Sequence, residues 1–462
     1  MKMTKTQMTT KFALCAGAAA LAALVPQTHA QSSDALIDKL VDKGILTTDE
    51  AKDLRAESDK DFQTAFAAKT GMPDWVTGYK LTGSFRGRYE QFSAASTAAN
   101  SGANLDRSRL RYRLFLGATI SMKDDLEVGF RIGSGDSKAA GYGNPLSQNS
   151  TMTGNWSDKG LYVDLAYGKW TPINSGNWTL STTFGKMERD VFDFTWMVFD
   201  PDLTPEGAVV QGAYTINDKN TIAFTAGGFT LEDAAASTHD SALFGGQVVW
   251  KAKWNNRWSS SLGAAFLGVV NPEQNNATAA SANAMINQGN TRYTSGPYAG
   301  APKYNFDPLI GDASVTYTLD SFPLYNGAFP ITLKGEAMNN PGAASNNNGY
   351  WVGFILGKSG TKKTWDISYR YEYLEADAWY DQLADDDNCA YYYAKPQGLG
   401  STGYVGGTNI KGHFMKFNYS LTDSLMFSAT CYLNSLINPN LNGTKEPQSG
   451  AMHFFADIMW KF

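Results

Sequence analysis

"LDRSRLRYRLFLGATI", residues 105–120, sets Arg107, Arg109, Arg111 and Arg113 at every second position, with Leu110, Tyr112, Leu114 and Leu116 on the alternate ones. A repeat of two is that of a β-strand, so the guanidinium groups leave one face of a sheet and the apolar side chains the other. Successive arginines on one face stand about 7 Å apart, where they repel by roughly 0.6 kcal/mol in water and about twenty times more in a dry interior. The arginine face therefore meets water. If it met lipid instead, each charge near the midplane would cost about 2 to 4 kcal/mol.

The remainder of the chain decides between a soluble sandwich and a membrane barrel. Residues 1–30 carry Lys2, Lys5 and Lys11, then the apolar run "FALCAGAAALAALV", then "THA" ending at Ala30. That order is the pattern of a secretory signal peptide cleaved before Gln31; Leu14 before Cys15 argues against a lipoprotein. Beyond it no run of eighteen apolar residues occurs, which excludes a helical membrane protein. Mean hydropathy is −0.32. The chain is nevertheless 13% aromatic, with 12 Trp, 23 Tyr and 45 Gly, as expected of an all-β chain in which apolar and polar residues alternate. Of 39 basic and 44 acidic residues, three basic ones lie in residues 1–30, leaving 36 against 44, a net of −8, so nothing indicates a nucleic-acid partner. Cys389 and Cys431 form no disulfide framework.

Residues 31–70 have a character unlike the rest of the chain. Leu36, Ile37, Leu40 and Val41 lie on a helical stripe ending at Gly44, and Thr47 with Glu50 has capping-box spacing. The expectation is a helical hairpin or short coiled coil in the periplasm, an appendage that packs or oligomerises weakly, or alternatively a tether to the cell wall or a partner. Residues 71–78, with Pro73 and Trp75, form a linker.

From Tyr79 to Phe462 the chain runs through about sixteen alternating segments, from "YKLTGSFRGRYEQF" (79–92) to "AMHFFADIMWKF" (451–462). Connections after even-numbered segments are short ("SMKDD", "TPINSG", "NDKN", "NNR", "SGTKK", "TD"), with "DSFPLYNGAFP" longer. Those after odd-numbered segments are mostly long. Short turns at one end and long loops at the other, around an even number of roughly ten-residue strands, is the plan of an outer-membrane barrel. The predicted fold class is all-β, a transmembrane antiparallel barrel of about 16 strands over residues 79–462. Trp170, Trp178, Trp254, Trp258, Trp365, Tyr373 and Trp460 near strand ends match interfacial girdles, and the final strand ends on an aromatic.

Inward parity also takes Arg86, Arg88 and Arg131, so seven arginines share one sector of wall, with Glu90, Glu127 and Asp164 to neutralise part of it. The third long loop, "KMERDVFDFTWMVFDPDLTPEG" (186–207), mixes Glu188, Asp190, Asp193, Asp200, Asp202 and Glu206 with Phe192, Phe194, Trp196 and Phe199. Its aromatics are expected to pin it to the inner wall while its carboxylates face the arginines, narrowing a pore and setting a transverse field.

"LRYRLFLGATI", "DLAYGKW", "DPDLTPEG", "NQGNTR" and "TWDISYRYEYLEADAWYDQLADDDN" resemble, in this order, the recurring blocks of the bacterial putative porin family of outer-membrane barrels. The resemblance covers most of residues 79–462. It implies a barrel in the outer membrane of a Gram-negative-type bacterium, surrounded by outer-membrane lipid, admitting small hydrophilic solutes or ions by passive diffusion as a homotrimer, with no catalytic residue and no cofactor.

Other functions fit less well. An enzyme needs a nucleophile or activated water beside a base, and His239, His413 and His453 have no such setting in the sequence. A plugged, energised transporter needs a plug domain far longer than the forty residues available here. A structural anchor with a filled barrel is the remaining alternative. "DDDN" (385–388) and "DPD" (200–202) are acidic enough for calcium but lack the full spacing of a known loop, so no metal is assigned. Arginines favour anions, while the acidic loops pull the other way.

Overall fold

The computed structural model describes residues 73–94, 106–137, 143–193, 197–233, 239–275, 288–293, 295, 300–388, 391–392, 404–405, 407–439, 441 and 450–462. The signal-peptide and helical-hairpin expectations lie outside these residues, as do Phe194, Trp196 and Cys389. The chain divides into two units, Met1–Asp74 and Trp75–Phe462.

The second unit is a sheet wrapped on itself. Its first ten strands are β1 (Val76–Ala94), β2 (Arg107–Met122), β3 (Leu126–Gly135), β4 (Ser150–Thr151), β5 (Gly160–Ser175), β6 (Trp178–Lys186), β7 (Glu206–Asn217), β8 (Asn220–Glu232), β9 (Ser241–Lys253) and β10 (Trp258–Val270). The others are β11 (Leu309–Leu319), β12 (Phe329–Asn339), β13 (Asn348–Gly357), β14 (Trp365–Leu374), β15 (Tyr391–Tyr392), β16 (Tyr404–Val405), β17 (Ile410–Ser420), β18 (Leu425–Leu436) and β19 (Ala451–Lys461). The three two-residue strands, β4, β15 and β16, sit in loops. The sixteen long ones pair antiparallel with their neighbours in chain order, and β1 pairs with both β2 and β19, closing the barrel. The first strand starts at Val76, ahead of the expected Tyr79, so the linker is shorter than the sequence suggested.

Closure leaves no edge strand, which hydrocarbon would punish because it offers no hydrogen-bond partner. The seam is reinforced where the chain ends. Gly83 and Phe462 exchange backbone hydrogen bonds (2.7 and 3.0 Å), and the Phe462 ring lies where a Cβ on residue 83 would fall. Turns at one end are tight. In the three-residue turn between β2 and β3, where Met122 pairs with Leu126, Asp124 and Asp125 both take left-handed φ values, 62° and 56°, which close it tightly. The longer link between β11 and β12 is ordered by aromatic packing: Phe322 stacks on Phe329 at 4.2 Å, and Trp365 Nε1 donates to Leu324 O at 3.0 Å.

The register settles the direction of the opening stretch. Leu110, Leu114 and Leu116 are 49%, 37% and 39% exposed on the outer surface, whereas Arg111 is 6% exposed on the inner. Outward rows on the other strands continue the belt with Leu81, Val128, Phe130, Val248, Leu262, Leu333 and Phe427. Trp170, Trp178, Trp254, Trp258, Trp365 and Trp460 stand toward the short-turn end, and Tyr373 toward the long-loop end.

Inside, at the long-loop end, an apolar core forms that strand alternation alone does not require. Phe192, Met197, Val198 and Phe199 from the loop after β6 pack with Trp379, Tyr380 and Leu383 from the loop after β14. Inward residues of β7 to β18, among them Val209, Leu267, Ile310 and Trp351, receive them.

Leu114→Arg, near the middle of β2 on the outer face, is expected to lower unfolding stability in lipid vesicles by about 2 to 4 kcal/mol, whereas the inward Thr119→Arg changes it by less than about 1 kcal/mol. Urea titration of the reconstituted barrel measures both.

Candidate functional site

Strand pairing brings the arginines of β1 and β2 side by side. Arg86 faces Arg113, Arg88 faces Arg111, and Glu90 faces Arg109 across the ladder, while Asp457 of β19 faces Arg88 on the other side. Such crowding is tolerable because each guanidinium has an acceptor. Arg88 binds Asp457 through two bonds, Nε to Oδ1 at 2.8 Å and Nη2 to Oδ2 at 2.9 Å. Glu90 takes Arg109 on one oxygen and Arg111 on the other (3.1 Å), and His453 Nε2 lies 3.0 Å from it. Arg86 Nη2 donates to Asn149 Oδ1 at 2.7 Å, and Arg111 also reaches Ser147 Oγ and Asn149 O. Arg131 is held by Asp164 and Glu188.

Aromatic faces complete the arrangement. The guanidinium carbons of Arg113 and Arg131 lie 4.4 and 4.3 Å from the centroid of Phe115, and that of Arg88 lies 4.0 Å from Phe455. A ring quadrupole attracts cations, so these contacts help hold the guanidinium groups in place.

The loop after β6 folds against the inner wall. Gln211 Nε2 and Thr225 Oγ1 both donate to Val191 O (3.0 and 3.1 Å), and Asp193 N donates to Gln247 Oε1 at 2.8 Å. Phe192 packs on Phe199 and Phe229, and Phe199 meets Trp379 edge-on. Two of the loop's carboxylates meet the arginines: Glu188 binds Arg131, and Asp202 Oδ1 accepts from Arg113 Nη1 at 3.2 Å. The others go elsewhere. Asp193 lies 3.8 Å from Lys251, Asp190 is exposed in a 3-10 turn, and Asp200 is buried against the loop after β14. Glu206 corrects the expectation: it is the first residue of β7, on the outward parity, and binds Lys186 at 2.8 Å, because strand pairing begins there. Arg107 is exposed at the end of β2, away from these contacts. Glu127 accepts from the Tyr167 hydroxyl at 3.0 Å, nearer the short-turn end.

Two acidic stretches far apart in the sequence meet here. Asp200, Asp385 and Asp386 offer carboxylate oxygens within 4.8 Å of one another. Burial, then the neighbouring carboxylates, pushes all three carboxyls above the usual range, Asp385 to about 7; around it Asp387 and Glu372 reinforce the rise and Arg370 opposes it. Beside them, residues 288–292 grip the loop after β14. Asn290 Nδ2 donates to Ala376 O and Trp379 O (2.6 and 2.8 Å), Thr291 N donates to Asp377 Oδ1 at 2.8 Å, and Arg292 forms a fully buried pair with Asp381. "NQGNTR" and "ADAWYDQL" are thus two halves of one clasp.

Sequence reading missed Asp457, His453, Asn149, Phe115 and Phe455. Asp457 and His453 share inward parity on the last strand and were accessible once closure of β1 on β19 was assumed; Asn149 comes from a long loop with no periodic signal.

Residues 92–300 match the family described as Putative porin. The matched segment runs from the end of β1 through the sector and the inward loop, and the apolar belt of the closed barrel is the exterior a transmembrane barrel presents to lipid. Solved structures similar to the chain include a mutant of the Rh. blastica porin, at 10% identity over 83% of this chain and 100% of that one, TM-score 0.38. A triple mutant of the Rhodopseudomonas blastica porin has 8% identity, the same coverage and the same TM-score of 0.38. No curated protein matches the chain in sequence.

Asp457→Ala should destabilise the barrel by about 3 kcal/mol, the low end for breaking a buried pair, since Asp387 remains 3.7 Å from Arg88. Equilibrium unfolding alongside Arg88→Ala and the double variant measures it. A carboxyl whose folded pKa is raised makes the folded state bind more protons than the unfolded one. Its stabilising effect is therefore complete below about pH 4 and lost as pH rises toward about 7, the value for Asp385. Hydrogen exchange at Tyr380–Leu383, corrected for intrinsic rate, should accordingly speed up from about pH 4 to about pH 8, and Asp385→Asn should flatten that dependence.

Proposed function

We propose that the barrel is a water-filled channel for passive diffusion of small hydrophilic solutes and ions, with the arginine sector and the loop after β6 forming its narrowest part. The observation that carries this reading is the pairing of an apolar exterior with an interior that lines one sector by Arg86, Arg88, Arg109, Arg111, Arg113 and Arg131. Charge in that number has no use against lipid and no stability in a dry core. Among the arginines, on the same wall, stand Glu90, Asp164 and Asp457, and the loop after β6 brings Glu188 and Asp202 into contact with them. Cations and carboxylates interleaved along one wall give a strong local field there, which favours polar solutes that can turn their dipoles to it. Because the carboxylates nearly balance the arginines, the anion preference of the sector is weak. No active-site chemistry is needed for such a task, and a trimer in lipid suits the family.

A gated form of the same channel has its own support. The apolar core of the loops after β6 and β14, with the Arg292–Asp381 clasp, packs inside the long-loop end of the barrel. Loosening that core widens the path.

Purified protein in a planar bilayer should give stepwise conductance; its absence over a range of voltages and pH would leave the anchor reading instead. In a salt gradient, Arg109→Ser with Arg111→Ser, which strips Glu90 of two partners, should move the reversal potential toward cations. An unchanged potential removes those arginines from the conduction path.

A further inference from the structure

The outer wall carries a feature that diffusion through the lumen does not use. At the long-loop end of β14, β17, β18, β19 and β1, a recess of about 580 Å³ opens on the outer surface. Its floor is one register row: Tyr371 faces His413, His413 faces Leu433, Leu433 faces Met452, and Met452 faces Ser93. One step nearer the rim, Lys411 faces Ser435. Lys411 is one residue from the start of β17, so its ammonium stands where the hydrocarbon gives way to headgroups.

Outward charge on this barrel is otherwise scarce and accounted for. The outward Lys186 and Glu206 bind each other. Lys411 makes no hydrogen bond or ion pair among the described residues. An acid on the same rim, Glu375, is occupied: one oxygen accepts from the Tyr373 hydroxyl at 3.3 Å, the other from Asn348 N at 2.8 Å and Nδ2 at 3.2 Å. His413 is set by its neighbours, with the Tyr369 hydroxyl 2.9 Å from Nδ1 and the Tyr371 ring 5.4 Å away edge-on. With the Tyr369 hydroxyl engaging Nδ1, Nε2 is the ring nitrogen left for a further partner.

We propose that Lys411 and His413 bind the phosphate of an outer-leaflet lipid headgroup, with Leu433 and Met452 receiving the start of its acyl chain. The assignment rests on the outer-membrane location and not on conduction. An ammonium and an imidazole two residues apart on one strand face converge on a single anion, and a charged acceptor strengthens both bonds. A cation facing outward is tolerated at the interface far better than at mid-depth, and the interface is where these two stand. Tyrosine beside them suits the same headgroup level.

The test uses the full chain in dodecylmaltoside micelles, with native mass spectrometry reading retained lipid. Diphosphorylated lipid A should bind at one copy per chain, and Lys411→Ser with His413→Ser should weaken it by at least about tenfold. Arg109→Ser, inside the lumen, should leave it unchanged. Equal retention by the wild type and the double variant overturns the proposal, as does equal binding of lipid A stripped of both phosphates to the wild type. That second arm decides the matter should the double variant fail to fold, judged by gel mobility without heating. Displacement by inorganic phosphate as readily as by lipid A overturns the assignment to a lipid, and so does an oligomer whose interface, mapped by cysteine cross-linking at residue 433, covers the recess.

Discussion

The cost of carrying charge into hydrocarbon organises this molecule. Seven arginines within the first three strands, four of them on one face of β2, leave a single workable orientation for that strand, and antiparallel pairing hands the orientation on to its neighbours. Once β2 is set, Arg86 and Arg88 must point the same way, and so must the carboxylates that face them. The apolar rows then fall on the outside without further instruction. A one-residue slip anywhere between β1 and β3 would exchange leucines for guanidinium groups at mid-depth.

Within that frame the interior is divided by chemistry. From β19 through β1 and β2 to β5, the inner wall is a lattice of arginines, carboxylates and aromatic faces. From β7 to β18 its long-loop end is oily and covered by loops. The loop after β6 belongs to both parts: Glu188 and Asp202 reach the arginines while Phe192 and Phe199 enter the apolar core. A loop tied at two faces of different character is held in place by each against loosening of the other. The same division explains why Asp200 turns from the arginines, for it lies on the oily side and is met there by Asp385 and Asp386.

Period-two alternation carried the fold. The strand count, the sorting of turns and loops, and the inward direction of Arg109 to Arg113 all derive from it, because strand geometry converts parity directly into sidedness. Loops have no such converter. Asp200 and Asp202 are two residues apart, and the sequence holds nothing to say that one is buried beside Asp386 and the other bound to Arg113. Glu206 looked like part of an acidic loop because composition does not mark where pairing begins. The clasp between residues 288–292 and the loop after β14 was visible only as two separate family blocks, since their meeting depends on how far two long loops fold inward.

The hydrogen bonds that join β1 to β19 link the first strand made to one synthesised some 360 residues later. Until that late strand arrives, β1 has a bare edge along its whole length, and every unfinished chain offers the same adhesive border to any other chain nearby. The barrel is therefore committed only at its last pairing.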